Sequence, residues 1–162
     1  MGRKVTHMRK RVLNWEEARH SIGVPAVDEQ HRNIIIGINT LHQAVAKELP
    51  HDAIRSLLAN LIQLIDQHFS FEEALMQEYA FPEAESHRRE HRMIVDRARH
   101  LLNALTPARP LRTKLAVAYL TDWTERHVLV SDRTLGAFLI AQGAAARPRT
   151  ALAAKPLAPG RP

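Results

Sequence analysis

Two pairs of polar residues on either side of Pro82 constrain the fold more than any other feature of the sequence. His68 and Glu72 precede this proline and His87 and His91 follow it, and the members of each pair are four residues apart. On an α-helix this spacing puts both side chains of a pair on the same face. Because proline suits the start of a helix but not its interior, we predict two neighbouring helices, each with two candidate metal ligands. Imidazole and carboxylate together favour iron, zinc or manganese over calcium or magnesium.

The length and composition of the chain exclude several classes of protein. Its 162 residues are enough for one domain with a sizeable core. The absence of cysteine excludes disulfides, cysteine-ligated zinc, iron–sulfur clusters and thiol catalysis. No apolar run is long enough to span a bilayer, and no apolar signal-peptide core follows the basic N-terminus. We therefore expect a cytoplasmic protein with no transmembrane segment.

The net charge of +6 belongs to the two ends of the chain. Residues 1–12 carry five Lys or Arg, residues 143–162 carry four, and neither stretch has an acidic residue. The remaining 14 basic residues are outnumbered by 17 acidic ones. A nucleic-acid-binding fold normally carries its positive charge on the folded surface, so we expect no specific nucleic-acid partner.

Four segments with alternating steps of three and four between apolar residues predict four core-facing helices. They cover about residues 28–48, 52–79, 82–105 and 110–142. Asp52 is a candidate N-cap for the second helix. The connections between the segments are short, which makes consecutive helices antiparallel neighbours. We therefore predict an all-α fold, an up-down-up-down four-helix bundle.

The predicted bundle forms one domain at residues 13–142. Residues 1–12 are predicted to form a basic flexible arm. In residues 13–27 the apolar residues show little helical periodicity, so we predict an ordered loop there that packs on the bundle. Trp15 is its expected anchor. Residues 143–162 are rich in Ala, Pro and Arg with few large apolar residues, and this composition predicts a disordered tail.

Polar residues recur on the inward stripe of each predicted helix. A buried imidazole or carboxylate without a partner is costly, so these residues need either separate hydrogen-bond partners or one shared metal centre. We favour the metal centre, because the stripes otherwise offer mainly Leu, Ile and Val. The six residues are His31, His68, Glu72, His87, His91 and His127.

Asp132 is a seventh candidate, although it lies five residues after His127. In a regular helix these two side chains would point about 140° apart. The apolar stripe slips by one residue at the same place, because it continues best through Asp132, Leu135 and Leu139. A one-residue widening of the π type would account for the slip and turn Asp132 inward. We predict an i→i+5 hydrogen bond or a local wide turn there.

Other polar residues are predicted to lie in solvent. They fall on the ends of the chain, on loops or on the outward faces of helices. They are Glu73, Glu78, His7, His20, His42, His51 and His100.

The ligand pattern resembles that of the hemerythrin family, and in particular its bacterial single-domain members. The pattern is one His on the first helix, HxxxE on the second, HxxxH on the third and HxxxxD on the fourth. The flanking residues are also similar. They are Val27-Asp28-Glu29-Gln30-His31, His68-Phe69, Glu72-Glu73-Ala74-Leu75-Met76, and Trp123 four residues before His127.

This resemblance implies a non-haem centre of two iron ions with an oxo or hydroxo bridge. It implies that His87, His91 and His127 hold one iron. It implies that His31 and His68 hold the other, while Glu72 and Asp132 bridge the two. One coordination position then remains on the side of His31 and His68, where dioxygen is expected to bind. The resemblance places four apolar residues beside that position: Ile34, Phe69, Trp123 and Val128.

Reversible dioxygen binding is the function that the resemblance implies, as a carrier, a store or a supplier to an oxygen-consuming enzyme. A monomer is favoured. The alternatives are a di-iron enzyme acting on oxygen, peroxide or nitric oxide, an oxygen or iron sensor, and a metal store. Ferritin-like di-iron enzymes use mostly carboxylates, whereas this chain supplies five His and two carboxylates. The predicted pocket also lacks a placed acid or base, so we expect no enzyme activity.

Overall fold

The computed structural model describes residues 13–107 and 110–144, with the side chains at 110–112 excepted. The described residues are almost entirely helical and include no strand, which confirms the all-α prediction. The predicted arm and nearly all of the predicted tail lie outside the described residues, and so does His7. The helices are α1 (Glu17–His20), α2 (Pro25–Ala46), α3 (His51–Glu78), α4 (Ala84–Ala104), α5 (Pro110–His127) and α6 (Arg133–Ala141), with a π-helical turn (Val128–Asp132) between α5 and α6.

Four rods form the bundle: α2, α3, α4, and the continuous run of α5, the π turn and α6. Helix α2 packs on α3, α3 on α4 and α4 on α5, and α5 also contacts α2, which closes the bundle. The predicted four-helix bundle is therefore confirmed. The apolar stretches of the described helices all fall short of what a membrane crossing needs.

The turn between α3 and α4 differs slightly from the prediction. Ala80 adopts a left-handed conformation with φ 53°, although it is not a glycine. The N–H of Phe81 donates to the carbonyl of Met76 over 2.9 Å, as in a Schellman motif. Pro82 therefore belongs to this turn, and α4 begins at Ala84 rather than at Pro82.

Two local predictions near the starts of α2 and α3 were wrong. Residues 13–27 are not a simple loop, because they contain α1 and the start of α2 at Pro25. The N-cap of α3 is Pro50, and Asp52 lies in the first turn instead. The expected role of Trp15 agrees with the structure, since its ring packs against the larger apolar cluster.

Two apolar clusters fill the bundle and leave a polar layer between them. Along each rod, the candidate ligands lie between residues of one cluster and residues of the other. The polar layer is therefore enclosed by apolar side chains at both ends. The larger cluster includes Ile38, Leu58, Ile94 and Leu120, and the smaller one includes Val27, Leu75, Leu135 and Leu139.

The histidines predicted to lie in solvent do not all do so. His100 is exposed as predicted, and His42 and His51 are partly buried. The prediction was wrong for His20, which is buried. Its Nδ1 accepts a hydrogen bond from the backbone N–H of Glu16 over 2.9 Å, and burial lowers its pKa.

Candidate metal centre

All seven predicted ligands point into the polar layer. Each is at most 5% exposed. One comes from α2, two from α3 and two from α4, and the last two, His127 and Asp132, lie at the two ends of the π turn in the middle of the fourth rod. The structure therefore brings together His31, His68, Glu72, His87, His91, His127 and Asp132.

The seven side chains form two overlapping groups. One group contains three imidazoles, from His87, His91 and His127, and we call it the three-histidine half-site. The other contains two imidazoles, from His31 and His68, and we call it the two-histidine half-site. Both groups also contain the carboxylates of Glu72 and Asp132, and within each group the candidate ligand atoms lie within 4.8 Å of one another. These two carboxylates are therefore placed to bridge two metal ions.

The π turn is what brings Asp132 into this cluster. It spans Val128–Asp132 and confirms the predicted wide turn. The Asp132 Oδ1 atom lies 3.0 Å from His127 Nε2, although a regular helix would separate these side chains by about 140°. The extra residue in the turn thus places a carboxylate on the same inner face as the imidazole.

The carboxylate of Asp132 also reaches both half-sites. Its Oδ1 lies 3.1 Å from His87 Nε2, and its Oδ2 lies 3.2 Å from His31 Nε2. The carboxylate of Glu72 behaves similarly, because its Oε2 lies 3.2 Å from His91 Nε2 and 3.6 Å from His68 Nε2. Each carboxylate therefore contacts one imidazole or more from each half-site.

The residues fit a pair of metal ions, because six of their inward nitrogen and oxygen atoms lack hydrogen-bond partners. Among the described residues, both oxygens of Glu72 and of Asp132 are buried without one, and so is Nε2 of His31 and of His87. The contacts between these atoms are short, but they do not have hydrogen-bond geometry. Leaving so many polar atoms unsatisfied in a core would cost several kcal/mol, at about 1–3 kcal/mol each. Two cations between them would satisfy all of these atoms at once.

The buried carboxylates also set the protonation of the metal-free site. Burial by itself would lower the pKa of His127 and of His87. The carboxylates around them, Asp132 and Glu72 at both imidazoles and Glu90 at His127, together outweigh burial and raise these pKa values to about 10 and about 9. At His68 burial dominates and lowers the pKa to about 4. A metal ion must therefore displace protons from His87 and His127 but not from His68.

Polar side chains lie behind three of the imidazoles. His68 Nδ1 is 3.0 Å from the Gln30 amide oxygen. His91 Nδ1 is 3.1 Å from a Glu73 oxygen, and His127 Nδ1 is 2.9 Å from a Glu90 oxygen. Such contacts hold the proton on Nδ1 and leave Nε2 to face the metal.

These outer residues were mostly missed from the sequence. Glu73 was predicted to be a surface charge, and its side chain is 36% exposed, but the prediction missed its hydrogen bond with His91. Glu90 received no role, and Gln30 was noted only as part of a similar stretch. A usable signal was present, since Glu73 follows a ligand directly and Glu90 precedes one.

A small cavity lies beside the two-histidine half-site. About 10 Å³ of it is open to the centre of a water-sized sphere, which is roughly the room that one water molecule needs. The four residues predicted to surround bound oxygen all line it. Thr124 lines it too, and its side chain is nearly buried. The full lining is His31, Ile34, Ile65, His68, Phe69, Trp123, Thr124, His127, Val128 and Asp132.

Two aromatic residues of this lining also hold ligand rings in place. The Phe69 ring stacks on His91 with centroids 3.7 Å apart and planes 6° apart. The Trp123 ring stacks on His127 at 4.4 Å and 18°. Each ring therefore restricts the plane of one imidazole and closes the cavity at the same time.

Comparison with known proteins agrees with this geometry. A family model for the hemerythrin HHE cation-binding domain matches residues 22–139, and this range contains all seven candidate ligands. The chain belongs to the hemerythrin family. The chain is 31% identical to a bacteriohemerythrin of Ralstonia nicotianae, over 86% of this chain and 98% of that protein. A bacteriohemerythrin of Stenotrophomonas maltophilia is 27% identical over 75% of this chain and 78% of its own length.

The hemerythrin fold is also found in a solved structure. The crystal structure of a wild-type hemerythrin superposes with a TM-score of 0.70, over 79% of this chain and 98% of that one. The two sequences are 24% identical, so this likeness concerns the fold alone.

Proposed function

We propose that this protein binds dioxygen reversibly at a centre of two iron ions. In this proposal the three-histidine half-site holds one iron and the two-histidine half-site holds the other, with Glu72 and Asp132 bridging. Two ferrous ions held in this way would supply the electron pair that dioxygen takes up on binding. The proposal rests on the family, on the two overlapping ligand groups and on the cavity beside one of them.

The position of the cavity is the observation that carries the proposal furthest. The protein offers five ligand groups to the three-histidine half-site but only four to the two-histidine half-site. The cavity is bordered by both imidazoles of the half-site with fewer ligands, His31 and His68. A small ligand in this space would therefore meet the metal ion that the protein coordinates less completely.

The walls of the cavity suit a neutral diatomic molecule. Ile34, Ile65, Phe69 and Val128 are buried and apolar, so they offer a water molecule no hydrogen bond and a bound ligand no proton. Water exclusion slows the oxidation of a ferrous centre and keeps bound oxygen from being released in reduced form. A cavity with room for roughly one water-sized molecule also disfavours larger substrates.

A carrier, a store or a supplier would all use this site. We propose that the recipient of the oxygen is a cytoplasmic oxygen-consuming enzyme, and that the chain acts as a monomer. These parts of the proposal are tested by co-purification from the cytoplasmic fraction and by measuring the mass of the iron-loaded protein in solution.

One observation favours a second candidate, a di-iron enzyme. The Thr124 hydroxyl group lies in the wall of the cavity, where it could hold a water molecule or donate a hydrogen bond to a bound ligand. Such a donor would assist cleavage of an O–O bond more than reversible binding. The residues that line the cavity do not specifically favour a metal store or a sensor.

Optical oxygen titration tests the proposal against these candidates. The protein is loaded anaerobically with ferrous iron and then exposed to oxygen. Reversible binding predicts a visible absorption band that appears with oxygen and disappears under vacuum over repeated cycles. Rapid irreversible bleaching with turnover of added peroxide or nitric oxide would support the enzyme, and the absence of any oxygen-dependent band would support the store.

A further inference from the structure

The hydrogen bonds behind the imidazoles differ in charge between the two half-sites. In the three-histidine half-site, two imidazoles donate from Nδ1 to carboxylates, His91 to Glu73 and His127 to Glu90. In the two-histidine half-site, His68 donates to the neutral amide of Gln30. The Nδ1 atom of His31 has no hydrogen-bond partner among the described residues.

This difference changes how strongly each imidazole binds a cation. A carboxylate that accepts the Nδ1 proton draws it away from the ring, so the Nε2 lone pair becomes more basic. It also adds a negative charge close to the metal ion. A neutral amide does both to a much smaller extent, and an unpartnered Nδ1 does neither.

The inward Nε2 atoms of His91 and His127 are so close that a positive charge is needed between them. His91 Nε2 and His127 Nε2 lie only 3.2 Å apart. With the Nδ1 proton of each ring directed to its own carboxylate, both Nε2 atoms present lone pairs to the same point. A cation or a proton must lie there to offset their repulsion.

Both carboxylates are partly exposed, by 36% at Glu73 and 43% at Glu90, and each has a second contact. Ser131 Oγ donates to Glu90 over 2.7 Å, and Ser131 belongs to the π turn that carries Asp132 inward. Arg88 lies beside Glu73, with 3.9 Å between its Nε and a Glu73 oxygen. The hydrogen bond from Ser131 orients the Glu90 carboxylate toward His127, and the Arg88 cation attracts the Glu73 carboxylate.

We propose that Glu73 and Glu90 are positioning residues that make the three-histidine half-site the stronger of the two. That half-site binds its metal ion first and more tightly, and it stabilises the more oxidised state of iron. The two-histidine half-site, where Gln30 contacts His68, binds its metal ion more weakly and favours the reduced state of iron. This inference rests on the proposed two-metal centre. It adds the order in which the two half-sites bind metal and states which half-site favours the more oxidised iron.

Stepwise metal binding tests this proposal directly. The metal-free full chain is titrated anaerobically with Co²⁺, whose visible bands report coordination by imidazole and carboxylate. The Glu73→Gln and Glu90→Gln variants keep the shape of each side chain but remove its charge. We expect each to weaken the tighter step by about tenfold or more and to leave the weaker step unchanged. Gln30→Glu should strengthen the weaker step and bring the two steps closer together.

The reduction potential of the iron-loaded protein separates an effect on the oxidation state of iron from general structural damage. In the iron-loaded protein, Glu90→Gln and Glu73→Gln should raise the reduction potential, whereas Gln30→Glu should lower it. Glu85→Gln is the matched control, because Glu85 lies on the same helix as Glu90 and pairs with Arg92 in solvent. It should change neither affinity nor potential.

Two results would overturn the proposal. One is that the Glu73 and Glu90 variants bind both ions as the unchanged protein does. The other is that they weaken both steps equally and leave the potential in place, as general loosening would. An unchanged protein that takes up one ion or none would instead contradict the two-metal centre itself, so the two failures are distinguishable.

Discussion

Asp132→Asn is the substitution that most directly perturbs the buried charges of this site. The side chain is fully buried and lies 3.0–3.2 Å from three imidazoles, those of His127, His87 and His31. Asparagine has nearly the same shape but no charge. The variant should therefore lose the electrostatic support of the metal-free site and one bridging ligand for both metal ions.

The size of the effect on stability follows from the protonation of His127. Its pKa is raised from 6.5 to about 10, mainly by the Asp132 carboxylate acting against burial. A shift of this size corresponds to about 5 kcal/mol. Removing one partner of a buried ion pair typically costs about 3–5 kcal/mol. We expect the metal-free Asp132→Asn variant to lose about 3–5 kcal/mol of unfolding free energy near neutral pH.

The same shift fixes how this loss depends on pH. Because the folded pKa of His127 is raised, its contribution to stability is complete below about pH 6.5 and disappears as the pH rises through about 10. The metal-free unchanged protein should therefore lose stability over this range. The Asp132→Asn variant should show a much flatter profile, and the two should approach each other above about pH 10.

Urea unfolding in the presence of a chelator, repeated across this pH range, provides the test. Asp96→Asn serves as the control, because Asp96 is exposed on α4 and should change the unfolding free energy by no more than about 0.5 kcal/mol. If Asp132→Asn keeps the pH dependence of the unchanged protein, then Asp132 does not support the charge of His127, and the description of the polar layer is incorrect.

Three further predictions concern the aromatic ring, the cavity wall and the protons of the site. Phe69→Ala should lower the unfolding free energy, measured by thermal unfolding, by about 3–5 kcal/mol, because it removes the buried ring that stacks on His91. His100→Ala, at an exposed position, is the control and should leave the unfolding free energy unchanged. Thr124→Val keeps the shape of the cavity wall but removes its hydroxyl group, so the oxygen-dependent band should persist longer in air; faster loss of the band would contradict this role. Metal loading should release protons from His87 and His127 near neutral pH but few above about pH 10, as measured with an indicator dye in weak buffer. Proton release that does not fall at high pH would contradict the assigned pKa values.

The sequence was sufficient to predict those features that a periodic pattern records. The π turn is an example, because the apolar stripe slips by one residue between His127 and Asp132 and leaves a trace in the spacing. The meeting of the seven side chains also followed from the pattern, since each lies on the inward stripe of its rod. Burial in a four-helix bundle then leaves them one common place to meet.

Features that depend on one local contact were not predictable in this way. Ala80 ends α3 in a left-handed conformation that a sequence usually signals by glycine. His20 is buried at the end of the short helix α1, where the backbone N–H of Glu16, just before that helix, donates to its Nδ1. Glu73 and Glu90 lie at positions that read as outward, but their long side chains reach back to the imidazoles.

The most direct test of the central claim is the number of iron ions that one chain binds. The metal-free protein is titrated anaerobically with ferrous iron, desalted and analysed for iron and protein. Two overlapping ligand groups that share Glu72 and Asp132 predict two iron ions per chain, and loss of at least one in the Asp132→Asn variant. One iron per chain, or two irons in a variant that lacks the shared carboxylate, would contradict the bridged two-metal centre.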